Sequence, residues 1–256
     1  MFELAEAPPT PEAANGLGNF LAIGRRLVQL AQEAGLESHH RVLDVGCGSG
    51  RVAAALANVL DRGTYVGIDV DANRIAWAAS HIPLDNFRFS VVDVWNGAYG
   101  PGASRPLPLR KRWRRSRRTT TARVDGFRFP YPHAEFDFCI ATSLYTHLRP
   151  DDTALYLQET GRVLKPGGTS FATFFLIDDY AQAAIENGRA EWLKAPWEND
   201  TWVADATRPE IAIGYSEGRV GAAHRESELT IQEIRQGSWC GRPDPTDYQD
   251  IVISRR

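Results

Sequence analysis

Everything about the fold turns on one stretch, Arg41-Val42-Leu43-Asp44-Val45-Gly46-Cys47-Gly48-Ser49-Gly50. Its first five residues form a short, mostly apolar run of strand length, and a glycine cluster follows at once. Val52 to Leu60 then reads as a helix, which puts the glycines in a strand-to-helix turn. Glycine lets the backbone turn sharply there and lets a ligand approach closely, beside helix N–H groups that point outward. The stretch predicts a cleft for a nucleotide-derived cofactor at the carboxyl end of a strand.

Working outward, Phe20, Ile23, Leu27, Leu30 and Ala34 recur at three- and four-residue steps and predict an amphipathic helix closed by Gly35. Strands are predicted at 64–68, 87–92, 136–141 and 169–176, and helices at 73–81 and 153–164. Lys165-Pro166-Gly167-Gly168 reads as a turn. Strands alternating with helices predict a doubly wound, mostly parallel α/β sheet with helices on both faces. The chain's end breaks the pattern. Runs 229–235 and 248–253 are joined by 236–247, too short for a crossover helix, and predict an antiparallel pair.

The 256 residues read as a single domain, 43% hydrophobic and 24% charged, with a net charge of -3. Within it, residues 1–15 are Pro-, Ala- and Glu-rich and read as a loose lead. Residues 177–215 are long and aromatic (Tyr180, Trp192, Trp197, Trp202, Tyr215) and read as an acceptor-side insertion or as the core of an added helical subdomain. Residues 102–124 form a basic tract, in which 110–118 alone carry seven of the 29 basic residues. The rest of the chain is acidic, which argues against a nucleic-acid binder as a whole. Three readings of the tract stay open: a disordered solvated insertion, a patch for phosphate-rich partners, or a local reading-frame error. Three scattered cysteines without a C-x-x-C pair, no signal-peptide pattern and no bilayer-length apolar run lead to the expectation of a cytoplasmic protein.

Glycines alone do not identify the cofactor, because Gly48-Ser49-Gly50-Arg51-Val52-Ala53 also satisfies a loose dinucleotide pattern. The carboxylates are more informative. Asp44 stands at the mouth of the loop, where it would repel a pyrophosphate and suit an ammonium and a sulfonium. Asp69 ends the second strand where an acid meets ribose hydroxyls, and Asp93 ends the third, where it can accept from an adenine amino group.

With the loop 44–50, Gly67-Ile68-Asp69, Val92-Asp93 and Leu164-Lys165-Pro166-Gly167-Gly168 in this order, the chain resembles class I S-adenosylmethionine-dependent methyltransferases over roughly 20–253. The resemblance implies a Rossmann-like seven-stranded sheet with a C-terminal antiparallel strand pair, and S-adenosylmethionine as cofactor. It further implies that Gly46, Cys47 and Gly48 pack against the methionine part, with Asp44 near its amino group. Asp69 would hold the ribose, Val70 the adenine face, Asp93 and Val94 the adenine edge, and Thr142 the methionine end. Gly24 would lie in a helix that caps the pocket. No metal is implied.

Methyl transfer from a sulfonium needs alignment above all, and a general base only for a hydroxyl or a protonated amine. His147, after the fourth strand, is the best-placed candidate base. Tyr145 is a candidate acceptor contact, and His133, His224 and the pair Asp178-Asp179 are further titratable candidates. The expected acceptor is a small molecule or a glycan, methylated on oxygen. The alternatives are an RNA or protein methyltransferase using the basic tract, or a non-catalytic cofactor-binding protein. Ala141-Thr142-Ser143-Leu144 stands where an amino-methylating N/D-P-P-Y/F motif would be, which weakens nucleobase amino methylation.

Overall fold

The computed structural model describes residues 2–92, 128–190 and 192–256, apart from the side chain of Glu12. Its first half alternates as the sequence predicts. In order come α1 (Gly16–Glu33), β1 (Arg41–Val45), α2 (Arg51–Leu56), β2 (Thr64–Asp69), α3 (Ala72–His81) and β3 (Phe87–Val91). Asp71 caps α3, its carboxylate accepting from the Asn73 and Arg74 N–H groups. The chain continues with β4 (Phe136–Ala141), α4 (Pro150–Val163) and β5 (Leu164–Phe174). Pro150 opens α4 at a position that needs no N–H donor.

Seven strands form one sheet in the order β10-β11-β5-β4-β1-β2-β3, where β10 is Thr230–Arg235 and β11 is Asp250–Arg255. Only β11 runs against its neighbours, pairing antiparallel with both β5 and β10. The winding direction reverses between β1 and β4, and a crevice opens at the carboxyl ends of strands at such a point.

Alternation on the central strands separates two cores. Leu43, Val45, Val66 and Ile68 face a layer containing Tyr156 and Leu157 of α4. Val42 and Tyr65 face Phe20, Leu27 and Leu30 of α1 and Ala53 and Leu56 of α2. α1 and α2 touch closely at Gly24, where a Cβ atom would lie 2.4 Å from the Arg51 carbonyl oxygen.

Three expectations need correction. The lead of residues 1–15 is anchored over its described part, 2–15, not loose. The Phe2 N–H donates to Asn58 Oδ1 (2.8 Å), Asn58 Nδ2 donates to the Phe2 carbonyl (3.0 Å), and Leu4 and Ala13 are buried. The Lys165–Gly168 turn is a bulge within β5: pairing jumps from Phe136–Leu164 to Phe138–Thr169, and Gly167 takes φ 79°. Residues 177–215 are not a helical subdomain. After β6 (Leu176–Ile177) they form α5 (Asp179–Glu186), β7 (Ala195–Pro196), β8 (Thr201–Val203) and β9 (Ile213–Ser216). The four strands make a second sheet, β6-β9-β8-β7, whose strands of two to four residues are too short for alternation to show in sequence. From β9 the chain passes through α6 (Glu217–Glu226) to β10.

The link between β10 and β11 is pinned by Asp250. One carboxylate oxygen accepts from the Gly237 N–H (2.8 Å), the other from the Leu176 N–H (2.7 Å) and the Trp239 indole (2.6 Å). Among the described residues, no helix is long and apolar enough to cross a membrane.

Candidate active site

A cavity of about 320 Å³ opens at the carboxyl ends of β1, β2 and β4, within the range of small-molecule sites. Gly46, Cys47, Gly48, Asp69, Val70, Thr142 and His147 all stand on its wall. Asp93 and Val94, like the basic tract 102–124, lie outside the described residues.

Asp44 is placed differently. Strand alternation turns it toward the α1 and α2 face, where it is 1% exposed and its Oδ2 accepts from the Tyr65 hydroxyl at 2.8 Å. It lies beneath the loop, not on the cavity wall. Its strand partner is Gly67, whose missing side chain leaves room for Tyr65 Oη and Cys47 Sγ. Burial and the neighbouring Asp44 carboxylate hold the Tyr65 phenol well above its ordinary pKa, so it remains a donor.

The glycine loop satisfies its own amides. Gly46 and Cys47 donate N–H to the Ile68 carbonyl (2.8 and 3.0 Å), and Gly50 donates to the Cys47 carbonyl (3.0 Å). Gly48 donates to Asp69 Oδ2 at 2.8 Å, while Asp69 Oδ1 accepts from the Asp71 N–H at 2.9 Å. Gly46, Gly48 and Gly50 make this possible by adopting φ of 74°, 54° and 80°. A phosphate-binding loop needs such N–H groups aimed at the anion; here all four are turned inward. Asp69 is clamped through one lone pair on each oxygen, which leaves acceptor capacity toward the cavity.

His147 sits in a 3-10 turn, Tyr145–His147, packed against the second sheet's subdomain. Its Nδ1–H donates to the Glu210 carbonyl oxygen at 2.9 Å, which places the basic lone pair of the neutral ring on Nε2. Burial lowers its pKa below the usual histidine value, despite the backbone carbonyls of Glu210 and Ile211 that favour the charged ring. The other candidates are engaged elsewhere. Tyr145 is fully buried and stacks on Phe174 at 4.7 Å. Asp178 caps α5 and pairs with Arg242 at 2.7 Å. His224 stands on the buried face of α6, and His133 meets Arg256.

Sequence reasoning missed Pro11, Arg51, Arg74, Ser143, Leu144 and Tyr156 on the same wall. Arg51 opens α2 and Arg74 lies in the first turn of α3, each just after a cofactor-binding strand end, which was a usable signal. Pro11 and Tyr156 arrive by tertiary packing, for which no local pattern exists.

The S-adenosylmethionine implied by the sequence resemblance fits these residues. The cavity is large enough, the Gly46, Cys47, Gly48 and Gly50 amides of its loop are already engaged, and a clamped carboxylate is available for a diol. A pyrophosphate-bearing coenzyme would find those loop amides already engaged.

Comparisons with known proteins agree. Among curated relatives, methyltransferase GfsG of Streptomyces halstedii is 25% identical over 183 residues, 70% of this chain. The 235L protein of Invertebrate iridescent virus 6 is 33% identical over 61 residues, 24% of this chain. The chain spans 54% and 22% of those two proteins' own lengths. In fold, the PH0226 protein of Pyrococcus horikoshii aligns with a TM-score of 0.61 at 15% identity, over 96% of each chain. A SAM-dependent methyltransferase from Methanosarcina mazei aligns at 0.57 and 16% identity, covering 89% of this chain and 96% of the other. The family model described as a methyltransferase domain matches residues 19–205, well over half the sequence, and so the chain belongs to the methyltransferase-domain family.

Proposed function

We propose that this protein transfers the methyl group of S-adenosylmethionine to an oxygen of a small-molecule or glycan acceptor. The sulfonium supplies an already activated methyl group when bound. This chain's residues bind, orient and move one proton. Asp69 takes the ribose hydroxyls, Val70 the adenine face, and Gly46, Cys47 and Gly48 the methionine part, with Thr142 at the methionine end. Asp93 and Val94 complete the adenine edge. Asp44 contributes negative charge from beneath the loop on the side of the amino group, through its field and not by contact.

The observation that carries the oxygen assignment is a half-buried histidine on the cavity wall whose pKa is held below the ordinary value. An alcohol is a poor nucleophile until its proton leaves, and as its oxygen bonds to the methyl carbon that proton passes to His147 Nε2. The Glu210 carbonyl stabilises the imidazolium through Nδ1–H. The exposed indole of Trp192 and the half-buried indoles of Trp197 and Trp202, in 177–215, stand outside the cavity wall and are aromatic faces of the kind that suits a sugar or flat ring.

Titration calorimetry should detect S-adenosylmethionine and not NAD. Panels of sugars, phenols and amines should give S-adenosylhomocysteine with oxygen acceptors, and turnover on protein or RNA alone would reject the proposal. His147→Ala should lower kcat about 10²–10⁴-fold with the cofactor Kd unchanged. A base must be neutral to act, so kcat/KM for the wild type should rise with pH around a midpoint below 6.5, the ordinary histidine value. A flat profile from pH 5 to 8 would remove His147 from the chemistry.

A further inference from the structure

Ser143 leaves β4 with a positive φ of 54° and stands on the cavity wall. That backbone turn brings its N–H to Thr173 Oγ1, 2.7 Å away. A hydroxyl that accepts there still has its own proton to give, and Thr173 gives it to Gln249 Oε1 at 2.6 Å. Ser143 Oγ donates to the same oxygen at 3.1 Å.

The direction of this relay identifies the two ends of the Gln249 carboxamide. Oε1 receives both hydroxyl protons, so Nε2 is the end left over. Its two N–H bonds have no partner among the described residues, although the side chain is half-buried. The neighbouring Asp250 is held by three N–H donors, so the backbone carrying Gln249 is fixed. Gln249 itself stands one hydrogen bond behind the cavity wall, its Oε1 3.1 Å from Oγ of the wall residue Ser143, so its donor pair lies within a side chain's reach of the site.

Resting on the oxygen-methylation reading, we propose that Gln249 is a specificity-determining residue whose Nε2 donates to a second oxygen of the acceptor, next to the one methylated. An N–H given to the reacting oxygen itself would draw on its electron density and lower its nucleophilicity toward the methyl carbon. The amide therefore serves the neighbour, while His147, on the same wall, takes the proton of the reacting hydroxyl. The substrate class is a molecule with two adjacent oxygens, such as the vicinal diol of a sugar or a catechol ring.

Two matched probe pairs test this: catechol against phenol, and trans-1,2-cyclohexanediol against cyclohexanol. The wild type should favour the diol of each pair in kcat/KM on the order of 10-fold, the worth of one good hydrogen bond. Gln249→Glu keeps an oxygen for both hydroxyl donors and deletes the N–H pair; Gln249→Met deletes the donors without adding charge. Both should erase the preference while the S-adenosylmethionine Kd stays at its wild-type value; Gln249→Glu, which keeps the acceptor of the Thr173 and Ser143 hydroxyls, should keep the wild-type Tm as well. A preference that survives both substitutions overturns the assignment, and so does a matching loss of cofactor affinity, which would give the amide to the donor. If the wild type methylates none of the four probes but does methylate amines, the oxygen reading fails separately. The Gln249 side-chain amide resonances, followed in the S-adenosylhomocysteine complex, then decide: shifts with the diols alone support the proposal, and no shift with any probe overturns it.

Discussion

Gly18 and Gly24 occupy the same helix six positions apart, yet an added methyl group would meet opposite conditions. At Gly18 nothing lies within 4 Å of a Cβ atom, whereas at Gly24 the Arg51 carbonyl oxygen would be 2.4 Å away. That carbonyl belongs to the first residue of α2 and cannot retreat without carrying the glycine loop with it. Gly24→Ala should therefore cost roughly 1–3 kcal/mol through overpacking and weaken cofactor binding, since Arg51 and Val52 border the cavity. Gly18→Ala should be neutral or stabilising by about 0.5–1 kcal/mol, because alanine loses less freedom on folding. Thermal melts and calorimetry on the two variants decide it, and equal Tm values would show that the α1–α2 contact yields freely. Asp44 teaches a related lesson at this scale. Its type and place in sequence were legible, but its side followed from the period of two along β1, which sends it beneath the loop.

At the scale of elements, the parallel strands and their helices were readable because each buries a face with its own period. The glycines of Lys165–Gly168 marked a break but read as a turn, because a bulge inside a strand is defined by its pairing with β4 and not by local sequence. The second sheet was not readable, since strands of two to four residues carry no period, and the lead looked loose because Leu4 and Ala13 are too far apart to make a pattern. The site divides the same way: its loop and strand ends were local signals, while Ser143 and Gln249 meet across 106 positions. The Asp250 clamp belongs to this non-local class. It joins β6, the link before β11 and the Trp239 indole through one carboxylate. Asp250→Ala would strand three buried donors at about 1 kcal/mol or more each, a loss of about 3 kcal/mol or more. Differential scanning calorimetry should show Tm lowered by about 6–12 °C. A shift under about 2 °C would mean that water replaces the carboxylate at little cost.

His147 and His224, the first half-buried and the second buried, should each cost the fold stability in mild acid. Burial lowers the pKa of both, outweighing the backbone carbonyls that favour the charged ring. At these two rings the unfolded chain therefore binds more protons than the folded one once pH falls below about 6.5. The stabilisation these rings provide is present above that value and drains away as pH drops toward their folded pKa values. His224 is the cleaner probe because it lies outside the cavity. Its Nδ1–H donates to the Val220 carbonyl at 2.7 Å, Phe174 lies 6.2 Å from its ring, and its buried Nε2 has no partner among the described residues. A proton added at Nε2 would enter an apolar core unsolvated. His81, whose pKa is raised by the Trp77 carbonyl and by Glu6, acts with the opposite sign, and so does the carboxyl pair of Asp250 and Glu217, whose pKa values are raised by burial. Comparison with His224→Leu cancels all of them. Urea melts from pH 5 to 8 should show the wild type losing ground to this variant below about pH 6.5, by up to about 1.4 kcal/mol per pH unit. If the two stability curves run parallel across that range, His224 takes up its proton without penalty and any acid sensitivity of the fold must originate elsewhere.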